Sequence, residues 1–270
     1  MGEFGSGLQK NILDRWILSR LKEVIDNVTT NLEKYDAFAA SSDIEEFVDD
    51  FSNWYLRRSR ERAGVTNLSK TDKASFFNTF YFVLNNLVKL LAPFLPFISE
   101  IVYKNLTKEV SVHLSDWPEF AYDIEKDLLE EMKKVREVVE KAHAVRKLKN
   151  IPVRQPLSKL KVTNLVLKEK EVLKLIKDEL NVKDVFYSKG SGDVKVEFDT
   201  KITPELIEEA KTRELIRNIQ QERKNMGINL DQYVTVKSLW IPLDKMLVQY
   251  VKNIAMVSHI GKGIFKVEVD

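Results

Sequence analysis

The sequence of 270 residues contains no cysteine, which excludes disulfide bonds and thiolate-bound metal ions. Histidine is also scarce, and its three residues lie far apart in the chain, so we expect no metal site. Hydrophobic runs are short, and none reaches the roughly 20 residues that cross a bilayer. Because no secretory signal is visible either, we expect a cytoplasmic protein with no membrane contact.

Glycine is uncommon too, and three of the nine glycines fall in the opening MGEFGSG. We interpret residues 1–7 as a remnant of cloning and exclude them from the fold. The remaining glycines form no glycine-rich phosphate loop. The tetrapeptide His259–Lys262 resembles an ATP-binding signature. It follows a predicted helix, however, whereas such a signature follows the first strand of a nucleotide-binding fold.

No set of residues suited to catalysis can be found in the sequence. Acidic pairs such as Glu45 and Glu46 are adjacent on predicted helices, so their side chains point apart. No nucleophile is combined with a histidine and an acid at a recognisable spacing. We therefore predict no catalytic residues, no cofactor and no enzymatic activity for this chain alone.

Composition indicates a globular protein with two domains. Hydrophobic residues make up 44% of the chain and charged residues 31%, and 270 residues exceed what one average core holds. The formal net charge is only +2, so binding to a nucleic acid would depend on local basic patches.

The first part of the chain has helical periodicity. Apolar residues recur at three- and four-residue spacing through five segments, and all but the first open with a capping residue or a proline. These predicted helices begin at Asn11, Asp36, Ser69, Pro96 and Asp123. We predict a mainly α fold in which residues 8–152 form a five-helix antiparallel bundle.

The pattern changes after Ile151 and Pro152. Alternating apolar residues predict strands over residues 159–165, 182–187, 194–198, 233–240 and 264–269. Helices are predicted over residues 169–180, 203–226 and 242–257. Residues 153–270 are thus predicted to form a small α+β domain, and the sequence shows no internal repeat.

The segment Phe51–Arg62 combines an apolar helix face with a cluster of arginines. Trp54 lies three residues from Phe51 and is predicted to be in the core, whereas Tyr55 is predicted to sit at the edge with its hydroxyl facing solvent or RNA. Guanidinium groups suit phosphate, although a solvated helix end is the alternative interpretation. The candidate RNA-binding residues here are Tyr55, Arg57, Arg58, Arg60 and Arg62.

A second basic run covers Lys133–Lys149, and an exposed helix face is again the alternative interpretation. Two basic helix ends in one bundle, one of them with aromatics, are typical of RNA backbone binding combined with base stacking. The candidate RNA-binding residues in and after this run are Arg146, Lys147, Lys149, Arg154 and Gln155.

Several motifs resemble the anticodon-binding region of class I aminoacyl-tRNA synthetases, in the expected order. Leu13–Leu21 resembles the opening helix of the isoleucyl, valyl and leucyl group, and Leu91–Glu100 is a marker of that group. Glu46–Arg60, Val112–Leu114 and Val153–Leu157 are similar to the isoleucyl type. The arginine run lacks the Arg-Phe-Trp continuation of many members, and the absence of cysteine is consistent with a zinc-free form.

The resemblance implies a tRNA-binding fragment whose partner is the anticodon stem-loop of an isoleucine-accepting tRNA. The parent enzyme would attach isoleucine to that tRNA using ATP and Mg²⁺, through catalytic and editing domains outside this sequence. A valyl- or leucyl-type fragment is one alternative, and a helical protein-interaction module is another. DNA binding is not expected, and protein partners stay unknown.

Overall fold

The computed structural model describes residues 11–270, so the proposed cloning remnant at residues 1–7 lies outside the described part. The chain divides into two compact units, of which the first ends at Met132 and the second is Lys133–Asp270. This division falls within a helix. The assignment of residues 8–152 and 153–270 to separate domains stays a prediction.

The first unit is helical, as predicted. Side chains of Asn11, Asp36 and Ser69 cap three helices by accepting hydrogen bonds from backbone N–H groups, and Pro96 opens another. The helices are α1 (Ile12–Glu33), α2 (Ala37–Asp49), α3 (Arg57–Ala63), α4 (Lys70–Leu91), α5 (Pro96–Thr107) and α6 (Lys126–Leu148), the last of which continues into the second unit. The mainly α fold class is confirmed.

The helix predicted from Asp36 to Arg62 is interrupted. Between α2 and α3, residues Asp50–Leu56 form a π-helix, in which the backbone bonds close to the fifth residue and each turn is wider than in an α-helix. Because the turn is wider, residues four apart in sequence lie on nearly the same side of the helix. Phe47, Phe51 and Tyr55 therefore share the buried face and stack in sequence, with ring centroids 6.3 and 5.7 Å apart.

The second unit contains two three-stranded sheets of the same topology. In one sheet β1 (Leu157–Thr163) pairs in parallel with β2 (Val182–Ser188) and antiparallel with β3 (Lys195–Phe198). In the other sheet β4 (Val234–Ser238) pairs in parallel with β5 (Val257–Lys262) and antiparallel with β6 (Lys266–Val269). The helices of this unit after α6 are α7 (Lys170–Leu180), α8 (Pro204–Asn225) and α9 (Lys245–Ala255).

These elements form a βαββ module that occurs twice in the structure, although the sequence shows no internal repeat. Helices α7 and α9 both end on a left-handed residue, Asn181 and Met256, that leads directly into the parallel strand. The carbonyl of each accepts a hydrogen bond of 3.0 Å from the first residue of the central strand, Leu157 or Val234. The second parallel strand, β5, was not predicted, because its sequence VSHIGK lacks a clear alternation.

The apolar cores account for this architecture. Strands β4–β6, α9 and one face of α8 enclose a common cluster in the second module. In the first module, buried residues alternate along the second half of β1 and recur at helical spacing on α7. Among residues 11–270, no helix combines the length and the apolar character that crossing a bilayer requires.

Glu100 on α5 anchors the segment that follows this helix. Its carboxylate accepts hydrogen bonds of 2.9 Å from the Ser111 hydroxyl and the Val112 amide, and it pairs with Lys104 at 2.8 Å. The Lys104 ammonium, followed by these two donors, lowers the pKa of Glu100 from 4.5 to about 2. The loop position thus depends on an ionised Glu100.

We predict that the stability contributed by Glu100 depends on pH. Because its folded-state pKa is depressed, this contribution is complete above about 4.5 and is lost as the pH falls through about 2. Urea unfolding of the wild type and Glu100→Gln should differ at pH 7, and the difference should shrink as the pH approaches 2. A pH-independent difference between the two proteins would contradict this role.

Candidate nucleic-acid interface

A buried carboxylate lies beneath the arginines of α3. Asp14 on α1 is fully buried and accepts hydrogen bonds from the Tyr55 hydroxyl at 2.8 Å and the Ser75 hydroxyl at 2.9 Å. Both terminal nitrogens of Arg62 donate to it at 2.7 Å, which is the bidentate geometry of a strong ion pair. We call Asp14, Tyr55, Arg62 and Ser75 the Asp14 network.

Arg62 is held from other sides as well. Its Nε donates to Asp72 at 2.9 Å, and its guanidinium lies 5.6 Å from the centre of the Phe76 ring. Only 8% of Arg62 is exposed. The RNA-binding role predicted for Arg62 is therefore wrong, because its guanidinium joins α3 to α1 and α4 and presents no surface to a phosphate.

The positions predicted for the adjacent aromatics are reversed. Tyr55 is fully buried, with its ring 5.9 Å from that of Phe76, whereas Trp54 is only partly buried. The π-helix is the physical reason, because its wider turn favours four-residue over three-residue spacing along the buried stripe. Burial and the neighbouring Asp14 carboxylate raise the pKa of Tyr55 above its ordinary value, so the hydroxyl stays protonated and donates.

The other arginines of this segment face outward. Arg57 and Arg60 are exposed and Arg58 is partly exposed. The Nε of Arg57 donates to the Asn53 carbonyl at 2.9 Å, which ties this side chain to the π-helix. Together with Trp54, these residues form the outer surface of the segment, which we call the arginine face (Trp54, Arg57, Arg58 and Arg60).

The start of the π-helix is also fixed to α1. Asp50 is fully buried and accepts a hydrogen bond of 2.8 Å from Nε of Arg20. Burial is the largest single influence on the pKa of Arg20 and lowers it, but the carboxylates of Asp50 and Glu23 together raise this pKa above its ordinary value. Both ends of the segment that carries the arginine face are therefore bound to one helix, which limits how far the arginines can move.

In the second unit, Arg146 is a structural residue and not an exposed cation. It is 1% exposed, and it donates to the carbonyls of Pro152, Gln155 and Leu180 at 2.9, 3.0 and 2.6 Å. Its guanidinium lies 5.0 Å from the centre of the Phe198 ring. Burial lowers the pKa of Arg146. The RNA-binding role predicted for Arg146 is wrong, because its charge faces the carbonyl end of α7, where the helix dipole is negative.

The neighbours of Arg146 differ in exposure. Lys147, Lys149 and Arg154 are exposed, so they keep their predicted availability to a phosphate. Gln155 is partly buried, and its amide donates to the Pro156 carbonyl at 3.0 Å. The Asn181 side chain holds the backbone near Arg154 by donating to its carbonyl at 2.9 Å. RNA contacts by these four residues stay predictions.

Metal binding has no structural support in the described part of the chain. Among residues 11–270, no three histidine or acidic side chains are grouped closely enough to hold a metal ion. The arginine face itself offers cations and a ring, which suit phosphate binding and base stacking.

Comparison with known proteins agrees with this chemistry. Residues 14–162 match a family model described as the anticodon-binding domain of tRNA ligase. The chain is 36% identical over 206 residues to an isoleucine–tRNA ligase of Clostridium tetani, which covers 74% of this chain and 20% of that relative. It is 37% identical over 232 residues to the enzyme of that name from Clostridium acetobutylicum, covering 83% and 22%. With that of Treponema denticola it shares 31% over 274 residues, covering 95% and 25%. The chain thus spans about a fifth to a quarter of these relatives.

We predict that Tyr55→Phe destabilises the protein by about 1–3 kcal/mol, because it leaves the buried Asp14 carboxylate one donor short. Tyr81→Phe is the matched control, since Tyr81 is 45% exposed and loses no buried contact. Its effect should stay within about 0.5 kcal/mol. Urea unfolding followed by circular dichroism measures both, and equal stabilities of the two variants would contradict the role of the Asp14 network.

Arg146→Met should cost about 2 kcal/mol or more, because each buried carbonyl that loses its donor costs about 1–3 kcal/mol. The adjacent Lys147→Met is the control, since Lys147 is exposed and should change stability by less than about 0.5 kcal/mol. Hydrogen exchange of the β1 amides provides the local measurement. Protection that is unchanged in Arg146→Met would show that the guanidinium is dispensable.

Proposed function

Because the chain belongs to the anticodon-binding domain family of tRNA ligases, we propose that it is the tRNA-binding part of an isoleucine–tRNA ligase. The proposal for isoleucine rests on the names of the reported relatives and on the motifs of the isoleucyl type. The family membership covers more than half of the chain, including the arginine face.

The single observation that carries the proposal is the rigid mounting of the arginine face. Arg57 and Arg60 point outward from a helix whose inner side is held by Asp14 through Tyr55 and Arg62. A cation fixed in place loses less conformational freedom when it binds a phosphate than one on a mobile chain. The arginines would therefore neutralise phosphates of the anticodon stem-loop at positions set by the fold.

Trp54 supplies the second element of the proposed interface. It is partly buried beside the exposed Asn53, so part of its side chain is accessible. Unpaired bases in RNA loops stack on such rings. Trp54 thus takes the stacking role that the sequence had assigned to Tyr55.

In the second unit, the exposed Lys147, Lys149 and Arg154 are proposed to contact the tRNA backbone independently. Their segment is held by the carbonyl contacts of Arg146 and by Asn181. Gln155 is proposed to contribute little to tRNA binding, because its amide already donates a hydrogen bond to the Pro156 carbonyl.

The wider activity is proposed for the parent enzyme and not for this chain. The parent would activate isoleucine with ATP and Mg²⁺ in the cytoplasm, and this chain would hold the tRNA without catalysing a reaction or binding a cofactor. A protein-interaction module with an acidic partner is the competing class. The family match disfavours it. Co-purification with RNA that nuclease removes would separate the two, since an interaction module should not co-purify with tRNA.

We predict that Arg57→Ala and Arg60→Ala each weaken binding of the fragment to isoleucine tRNA. If each arginine contacts a phosphate, each variant should also reduce the slope of log affinity against log salt by about 1. Fluorescence anisotropy with labelled tRNA between low and physiological salt gives both quantities.

The control is Lys34→Ala. Lys34 is an exposed cation just beyond the far end of α1, whereas Asp14 lies in the first turn of that helix. The control should keep the wild-type slope. If neither arginine variant changes the slope, or if Lys34→Ala changes it equally, the arginines return to the interpretation of a solvated helix end.

A further inference from the structure

One face of the first sheet carries an exposed aromatic ring among lysines. Lys161 on β1 pairs with Phe186 on β2 and with Glu197 on β3, so all three side chains lie on the same face. Phe186 is 53% exposed, and the Lys159 ammonium lies 5.7 Å from the centre of its ring. The groove at this position has a volume of about 440 Å³ and is also lined by Phe198 and Asp199.

The repeated module indicates that the fold does not need this ring. In the second module Lys237 lies on the corresponding face and pairs with Gly261 on the parallel strand, beyond a register shift at Val234 and Thr235, whereas Lys161 pairs with Phe186 in the first. Both sheets form, and in both the preceding residue of the central strand is buried, Leu160 or Val236. Since Phe186 is half exposed and a glycine occupies the corresponding face of the other sheet, neither burial nor strand formation requires an aromatic residue here.

The chemistry of the groove fits one nucleotide. A flat base stacks on an exposed ring, and an exposed aromatic on a sheet is a common platform for single-stranded RNA. The lysine side chains are flexible, so Lys159 can swing from the ring to a phosphate as a base arrives. The carboxylates of Glu197 and Asp199 can accept hydrogen bonds from the exocyclic amino groups of a base.

We propose that this face binds an unpaired base of the RNA, with Phe186 as the stacking platform and Lys159 and Lys161 as phosphate contacts. The site rests on the tRNA-binding function proposed above and adds a second contact, on the other compact unit. It is separate in sequence from the arginine face, since neither Trp54 nor the arginines of α3 contribute to it.

The test uses the full chain and a short single-stranded RNA that contains adenine and cytosine, with a duplex of the same sequence for comparison. Phe186→Leu keeps an apolar side chain and removes the π-face, and it should weaken single-strand binding about 10-fold. Phe186→Tyr keeps the ring and should bind as the wild type does. Lys161→Ala should weaken binding, whereas Lys237→Ala, the equivalent change in the second module, should not.

The outcomes for Phe186→Leu, compared with those for Arg57→Ala and Arg60→Ala, separate this site from the arginine face. Wild-type affinity of Phe186→Leu for the single strand would overturn the proposal, and so would equal losses in Phe186→Leu and Phe186→Tyr. If Arg57→Ala and Arg60→Ala bind RNA normally while Phe186→Leu does not, the arginine face fails and the sheet site stands. If the wild type binds neither tRNA nor the single strand, both proposals are refuted.

Discussion

The ion pair between Asp14 and Arg62 determines where the arginine-bearing helix lies. Both groups are buried, and an unpaired buried charge costs several kcal/mol, so neither can leave without the other. Tyr55 and Ser75 satisfy the remaining capacity of the carboxylate. Because the partners come from α1, the π-helix, α3 and α4, one polar cluster fixes four elements in register around an otherwise aromatic core.

The same segment uses arginine in two opposite ways. Arg62 faces inward and is fully engaged, while Arg57 and Arg60 face outward. A helix that presents cations at defined positions must itself be held in place, and the buried contact of Arg62 with Asp14 holds this one. Arg146 has a comparable role in the second unit, where backbone carbonyls take the place of the carboxylate.

Features that depend on neighbouring residues could be predicted from the sequence. Helix starts at Asn11, Asp36 and Ser69 follow from side chains that cap their own helix. The roles of Tyr55 and Arg62 could not be predicted, because their partner Asp14 lies 41 and 48 residues away. The reversal of Trp54 and Tyr55 has another cause: the assumption of 3.6 residues per turn fails in a π-helix. The site around Phe186 could not be predicted without the strand register, because only the pairing with Lys161 shows that the two side chains lie on the same face of the sheet.

The π-helix between Asp50 and Leu56 gives the interface an unusual sensitivity to chain length. Both of its ends are anchored to α1, so the number of residues between the anchors sets the rotation of everything beyond them. Winding the same residues as an ordinary α-helix would turn the following helix by roughly 100°, because each residue of the tighter helix adds a larger rotation. Arg62 would then leave its carboxylate as the outward arginines swung from their surface. An insertion between the two anchors would therefore displace the arginine face, whereas the loss of one residue would be compensated by a return to α-helical winding.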